Sequence, residues 1–268
     1  MSAFRLPVVP DLTVFRNLPD STWANLLLGA ESLPPYPPEQ VQRDWCGNAG
    51  LPLALQSGAF YSLVKDVYAR HARRPLAESR LLDFGCGWGR LIRLFAKDLP
   101  ADQIFGCDPD PKILEWCRDL PGTFRVSDTR PHSLPFDERF DLAFAFSVFT
   151  HLGPGTHDDA LTAVHEVLVP GGVLILTIRP RTFLENRGAE LSQWSDDELR
   201  EQLRRYDGGE YVYRPYNLAP VGGEVPYGET VVPLAYARKH WTNRFEILAD
   251  AAVYHADGYQ MPVVLRRR

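Results

Sequence analysis

The sequence predicts an α/β chain organised as a doubly wound, largely parallel sheet. Three observations carry this reading. The apolar run Leu81-Leu82-Asp83-Phe84 leads into Gly85-Cys86-Gly87-Trp88-Gly89-Arg90, with glycine at every second position, and then into an amphipathic stretch, Leu91 to Lys97. Strand, glycine turn and helix in that order make the first crossover of such a sheet, which binds its ligands at the carboxyl ends of its strands. A second short strand, Gln103 to Cys107, ends in Asp108-Pro109-Asp110-Pro111. Further on, Leu142 to Phe146 and Val173 to Ile178 are continuous apolar runs, the pattern of strands covered on both faces.

The glycine turn carries the chemistry. Glycines let the backbone turn tightly and approach a ligand closely, and the helix start presents free N–H groups. A dinucleotide site wants G-x-G-x-x-G with its pyrophosphate over the helix N-terminus. Here the spacing is G-x-G-x-G, and Asp83 stands two residues before the first glycine, where its charge repels a diphosphate. A carboxylate there suits a cation instead, such as an α-ammonium group or a sulfonium-bearing ligand. Asp108 lies a little over twenty residues past Gly85. An acid at that strand end accepts from both hydroxyls of a ribose in either cofactor class.

The rest of the core follows in order. Asp110 with Pro111 starts a helix that runs to Leu120 and stops at Pro121-Gly122. Thr123 to Val126 is the third strand, with Ser127-Asp128 at its end, where Asp128 suits an Asx-turn. The fourth strand, Leu142 to Phe146, ends in Ser147-Val148-Phe149-Thr150-His151-Leu152. Thr156 to Leu168 reads as a helix started by Thr156 with Asp159, stopped by Val169-Pro170-Gly171-Gly172 before the fifth strand.

Flanking segments complete the chain. Leu12 to Leu28 is partly helical, with Asp20 or Ser21 as N-cap and Gly29 ending it. Leu33 to Pro38 is a stiff proline linker, Glu39 to Cys46 another helical turn, and Gly47 to Gly50 a break. Ser57-Gly58 precedes an amphipathic helix, Ala59 to Ala72. Near the other end, Ser195-Asp196-Asp197-Glu198 is a capping box opening a helix to Tyr206. Glu210 to Pro233 is rich in Tyr, Pro and Gly without a clear period. Leu234 to Trp241 is a short helix, and Phe245 to Leu248 and Gln260 to Leu265 are closing edge strands.

Composition narrows the function. The chain of 268 residues carries a net charge of −5, with no basic cluster beyond short pairs and the Arg266-Arg267-Arg268 tail, so a duplex nucleic-acid partner is not expected. Cys46, Cys86, Cys107 and Cys117 show no metal-ligand spacing and read as reduced thiols of a cytoplasmic protein. No apolar run approaches a membrane span, and Met1 to Pro10 does not read as a signal peptide.

From Leu81 to Arg179 the chain resembles the class I S-adenosylmethionine-dependent methyltransferases of small-molecule type. The resemblance rests on Asp83 to Gly89, Asp108, the Ser147 to Leu152 phrase and the helix–Pro-Gly-Gly–strand passage. It implies a seven-stranded Rossmann-like sheet of order 3-2-1-4-5-7-6, a core over residues 80–268 and a substrate-side insertion over 182–233. It also implies that 1–79 form a helical extension lying across the cofactor mouth. The cofactor is then S-adenosylmethionine, leaving as S-adenosylhomocysteine. Its expected contacts are Asp83, Gly85, Cys86, Gly87, Arg90, Asp108, Pro109, Asp128 (to the adenine amino group) and Ser147. The Asn/Asp-Pro-Pro-Phe/Tyr signature of enzymes methylating nucleobases or glutamine is absent. So is an acid cluster at the fourth strand's end, and no metal is expected.

Methyl transfer asks the protein mainly to hold a nucleophile in line. A hydroxyl acceptor also needs a base. His151, just past the fourth strand, is the candidate base, or else a structural histidine at a turn. Trp45, Tyr61, Tyr227 and Glu229 are the candidate acceptor contacts, with Tyr211, Tyr213 and Tyr216 able to line a pocket or simply to pack. The expected acceptor is a small molecule with a hydroxyl or amine, such as a natural-product intermediate or a sugar. The alternatives are a non-catalytic S-adenosylmethionine-binding module and a methyltransferase acting on a protein or RNA.

Overall fold

The computed structural model describes residues 11–29, 36–186, 194–250 and 259–268. The expectations for residues 1–10, for the first half of the proline linker and for 187–193 within the insertion lie outside the described residues. Seven strands take the order β3-β2-β1-β4-β5-β9-β8, which is the expected 3-2-1-4-5-7-6 order once a separate hairpin, β6-β7, is counted in the chain. The strands are β1 (Leu81–Phe84), β2 (Ile104–Asp108), β3 (Thr123–Val126), β4 (Phe140–Ala145), β5 (Leu168–Ile178), β6 (Val212–Pro215), β7 (Gly228–Val231), β8 (Phe245–Asp250) and β9 (Met261–Arg267). The chain divides into two compact units, residues 1–127 and 128–268.

In the first unit β1 pairs parallel with β2, and β2 with β3. Both β1 and β2 are buried along their whole length, which is why they read as apolar runs. Helices α1 (Asp20–Gly29), α2 (Glu39–Cys46) and α3 (Gly50–His71) precede them. α2 ends where expected, at Gly47 in the left-handed region. α3 corrects the sequence reading. It runs unbroken through Ser57 and Gly58: the buried Ser57 hydroxyl is satisfied within the helix by the Leu53 carbonyl at 2.7 Å, and Leu53, Phe60, Tyr61 and Val64 on either side are buried in the core.

The segment after the glycine turn is a 3₁₀ helix, Ile92–Lys97, rather than the expected amphipathic α-helix, and it is buried on every side. The extension packs on it. The Trp23 indole donates to the Leu94 carbonyl at 2.8 Å. Asp20, Lys65, Lys97 and Asp98 form a network of alternating charges, with the Tyr61 hydroxyl donating to Asp98. The helix expected from Pro111 to Leu120 is α4 (Pro111–Leu114) continued by a 3₁₀ turn, Glu115–Cys117. Asp110 caps it as expected, its carboxylate accepting from the Lys112 amide at 2.8 Å.

In the second unit β4 and β5 are parallel, and β5-β9 and β9-β8 antiparallel. Val169-Pro170-Gly171-Gly172 does not stop a helix ahead of the strand. It lies inside β5, where the pairing slips between Phe140↔Leu168 and Leu142↔Val173, so the extra residues bulge. α5 (Pro154–Val167) begins two residues before the expected Thr156, with Gly153 at its N-cap and no side-chain bond from that residue. Its first amides are met from far along the chain. Glu224 accepts from the Gly155 amide at 2.9 Å and from the Thr156 amide and hydroxyl at 3.0 Å each. The capping box at Ser195–Glu198 is present as expected and opens the helix Asp196–Asp207.

The aperiodic stretch 210–233 holds the β6-β7 hairpin. Backbone bonds stitch it to the segment after β4. Gly228 donates to the His151 carbonyl at 2.8 Å, Thr230 to the Thr150 carbonyl at 3.0 Å, and Gly153 to the Pro226 carbonyl at 2.8 Å. The Tyr211 and Thr230 hydroxyls both reach the Leu152 carbonyl, at 2.8 and 2.6 Å.

Candidate active site

The first unit builds an acidic, glycine-lined cradle. Gly85, Gly87 and Gly89 all take positive φ, 77°, 52° and 76°, which side chains rarely adopt. The Gly85 and Cys86 amides both donate to the Cys107 carbonyl, at 2.8 and 3.0 Å, which turns the chain as it leaves β1. A methyl at Gly89 would fall 2.3 Å from Leu120 Cδ1, whereas the space over Gly87 is open save for the Trp45 ring at 4.0 Å.

Two carboxylates flank this turn. Asp108 is tied at both oxygens, accepting from the Gly87 amide at 2.9 Å and from the Asp110 amide at 3.0 Å. Asp83 is buried, and its Oδ2 has no hydrogen-bond partner. Burial pushes its carboxyl well above the usual range; the charge of Asp108 adds to that, while Arg90 and the Ile92 amide oppose it. A buried carboxylate oxygen without a donor is costly, so this atom calls for a cation or an N–H. Arg90 itself donates to Gln56 Oε1 at 2.7 Å, tying α3 to the turn. Cys86 is buried, its sulfur 3.8 Å from the Gly87 carbonyl, and Pro109 is half-buried after Asp108.

The second unit places Ser147, His151 and Glu229 in one neighbourhood. Ser147 follows β4 and is the single non-glycine residue with positive φ, 61°, among the described residues. Such strain clusters at functional sites. Its amide donates to Thr177 Oγ1 at 2.8 Å, and its hydroxyl accepts from Gln260 Nε2 at 3.0 Å. Past Thr150, four side chains close a ring. Arg179, immediately after β5, pairs with Glu229 on β7, and both are buried. The Tyr216 hydroxyl donates to Glu229 Oε1. His151 Nδ1 lies 3.0 Å from that hydroxyl and 3.2 Å from the Gly228 carbonyl, and its Nε2 lies 3.4 Å from Arg179 Nη2.

Donor logic fixes the ring's state. A carbonyl oxygen has no proton to give, so Nδ1 carries the hydrogen and Nε2 offers its lone pair to Arg179. Burial and then the Arg179 charge hold the imidazole down to about 3, so it is neutral at ordinary pH. Burial lowers Arg179 to about 10, which leaves it protonated. Its guanidinium also lies over the Phe183 ring, 4.0 Å from the centroid.

Residues 81–172 match the family model described as a methyltransferase domain. Over that stretch the chain is similar to methyltransferases, and its sheet order fits the fold of the class I enzymes. Trans-aconitate 2-methyltransferase of Rhizobium leguminosarum bv. trifolii is 36% identical over 161 residues, 56% of this chain and 62% of that protein. Cyclopropane-fatty-acyl-phospholipid synthase of Escherichia coli is 28% identical over 100 residues, 36% of this chain and 25% of that protein. The chain thus spans between a quarter and 62% of the length of these curated relatives. Among solved structures, an S-adenosylmethionine-dependent methyltransferase from Clostridium acetobutylicum superposes with a TM-score of 0.53 at 13% identity, covering 79% of this chain and 91% of the other.

Within the methyltransferase domain and its flanks, the expected residues fall out unevenly. Asp83, the glycines and Asp108 stand together at the carboxyl ends of β1 and β2, with Trp45 beside Gly87. Asp128 is exposed just past β3. Tyr227 is half-buried and bridges to Leu152 through its backbone. Tyr61 does not line an acceptor pocket; its side chain has no exposed surface, and its hydroxyl is committed to Asp98. Sequence reasoning did not single out Arg179 or Gln260. Arg179 had one signal, a charged residue closing an apolar strand at its carboxyl end. Among the described residues no group of three or more His, Cys, Asp or Glu is placed to hold a metal, and no helix is long and apolar enough to cross a membrane.

Proposed function

We propose that the chain is an S-adenosylmethionine-dependent methyltransferase acting on a small-molecule acceptor in the cytoplasm. The observation that carries this is Asp83: a buried carboxylate oxygen with no donor, set against a three-glycine turn and beside a second, amide-anchored acid. Asp83 receives the α-ammonium group, Asp108 the ribose hydroxyls, and Asp128 remains our candidate for the adenine amino group. Gly85, Cys86, Gly87 and Pro109 shape the cradle, and Arg90 braces it. Bound there, the cofactor supplies a methyl group already activated on a sulfonium.

The acid pair speaks against a dinucleotide. Two carboxylates beside the turn repel a diphosphate, and the Gly87 amide that would greet a phosphate is spent on Asp108. The relatives named for trans-aconitate methylation and cyclopropane-fatty-acyl-phospholipid synthesis support a non-nucleic-acid acceptor. We assign acceptor handling to Ser147, His151, Tyr216 and Glu229.

Calorimetric titration with S-adenosylmethionine, S-adenosylhomocysteine and NAD tests the assignment. The expected result is saturable binding of the first two and none of NAD. Binding of NAD alone would overturn it.

A further inference from the structure

Resting on the proposal above, we infer that the second unit's ring is built for an acceptor that carries its own proton, a hydroxyl or an amine, and against a carboxylate. The 36% identical relative named for trans-aconitate makes a carboxylate the obvious first guess. A carboxylate acceptor needs no base but does need a free cation to hold it. In this ring the cation is Arg179, and it is already spent. Nη1 faces Glu229, Nη2 faces His151 Nε2, and the guanidinium face lies on Phe183. With Glu229 beside it the pair is neutral, and a second carboxylate brought there meets the Glu229 charge as well as the arginine.

What the ring offers instead is a route for a proton. Tyr216 is its most open member, 39% exposed, with its hydrogen aimed at Glu229 and its oxygen facing His151 Nδ1–H. The second lone pair of the Tyr216 oxygen is available to an acceptor's O–H or N–H. As the acceptor oxygen or nitrogen gains its methyl, its proton passes to the Tyr216 oxygen and the Tyr216 proton to Glu229 Oε1. The positive charge lost from the donor thus ends as a neutral, protonated Glu229, and no further reactant is needed. Arg179 supplies the opposite charge beside Glu229. His151, its lone pair engaged, is a positioning residue for Tyr216 rather than the base.

Glu229 is then a specificity determinant as well as the proton sink. Glu229→Gln removes the charge while keeping the shape, and it unmasks Arg179.

The test uses the full chain, Glu229→Gln and Tyr216→Phe. S-adenosylhomocysteine titration of each comes first. No binding to the unaltered chain defeats the cofactor reading itself, and equal binding by all three shows that the variants are folded. Labelled methyl transfer is then measured to phenol, benzylamine and trans-aconitate, together with calorimetric binding of trans-aconitate. We expect label in phenol or benzylamine and none in trans-aconitate. Each variant should lose about a hundredfold or more in kcat. Glu229→Gln should bind trans-aconitate about tenfold or more tighter than the unaltered chain. Label in trans-aconitate, label in neither of the other probes, an undiminished rate in Glu229→Gln, or no gain of trans-aconitate binding would each overturn the inference.

Discussion

The backbone N–H of Gly87 donates to Asp108 Oδ2 at 2.9 Å, so the acid at the end of β2 holds the middle of the glycine turn in place. Under the proposed function one carboxylate serves two ends, the loop's shape and the ribose contact. Asp108→Ala removes both. Charge-assisted bonds of this kind are worth about 2 kcal/mol, so the dissociation constant for S-adenosylhomocysteine should rise by about thirtyfold. Isothermal titration measures this directly.

Asp83 predicts a proton release. In the free protein burial raises its carboxyl well above the ordinary range. An ammonium placed against it favours the charged form and lowers it again. Below the free protein's value, binding must expel the proton, and affinity should rise with pH until that value is passed. Folding has the opposite sign. A raised carboxyl pKa contributes stability at low pH that is lost as pH rises through the folded value. Calorimetry in buffers of different ionisation heat will show the proton as a buffer-dependent enthalpy, and Asp83→Asn should abolish it.

His157 predicts acid sensitivity. It is buried against Phe149, Tyr211 and Trp241, with Nδ1 3.0 Å from the Tyr211 hydroxyl. Burial holds it down to about 3, against 6.5 when free. A depressed pKa contributes stability that is complete above 6.5 and lost as pH falls toward 3. Between pH 7 and pH 5 this one group costs about 2 kcal/mol. Urea unfolding at the two pH values should show the loss, and His157→Phe should reduce it.

Glu224 predicts a long-range cap. Its carboxylate meets the amides of Gly155 and Thr156 at the start of α5, where the helix dipole also favours negative charge. Glu224→Ala should cost about 1–2 kcal/mol of stability, read from the denaturant midpoint.

The glycine turn and its two acids were legible because their logic is local. An apolar run, an acid, alternate glycines and a second acid after the next strand all lie between Leu81 and Asp108, and each states its own backbone or charge requirement. α2 and the Ser195 capping box were readable for the same reason. The ring of Arg179, Glu229, Tyr216 and His151 was not. Arg179 and Glu229 are fifty residues apart, and His151 and Tyr216 sixty-five, so no spacing links them. The β6-β7 strands are four residues each, too short to show a period among Tyr, Pro and Gly. Gly58 and Pro170-Gly171-Gly172 misled because local breakers are overridden by packing: α3 continues through the first, and β5 absorbs the second as a bulge. Tyr61 was misplaced because an aromatic's burial depends on its charged partners, here Asp98 and Lys65, which sequence spacing does not reveal.

The central claim is that a partnerless carboxylate oxygen on β1 is the receptor for a cationic amino-acid head. A crystal structure of the chain with S-adenosylhomocysteine tests it most directly. The account predicts the ligand's ammonium nitrogen within hydrogen-bond distance, about 3 Å, of Asp83 Oδ2. An ammonium group bound elsewhere, with that oxygen still lacking a donor, would contradict it.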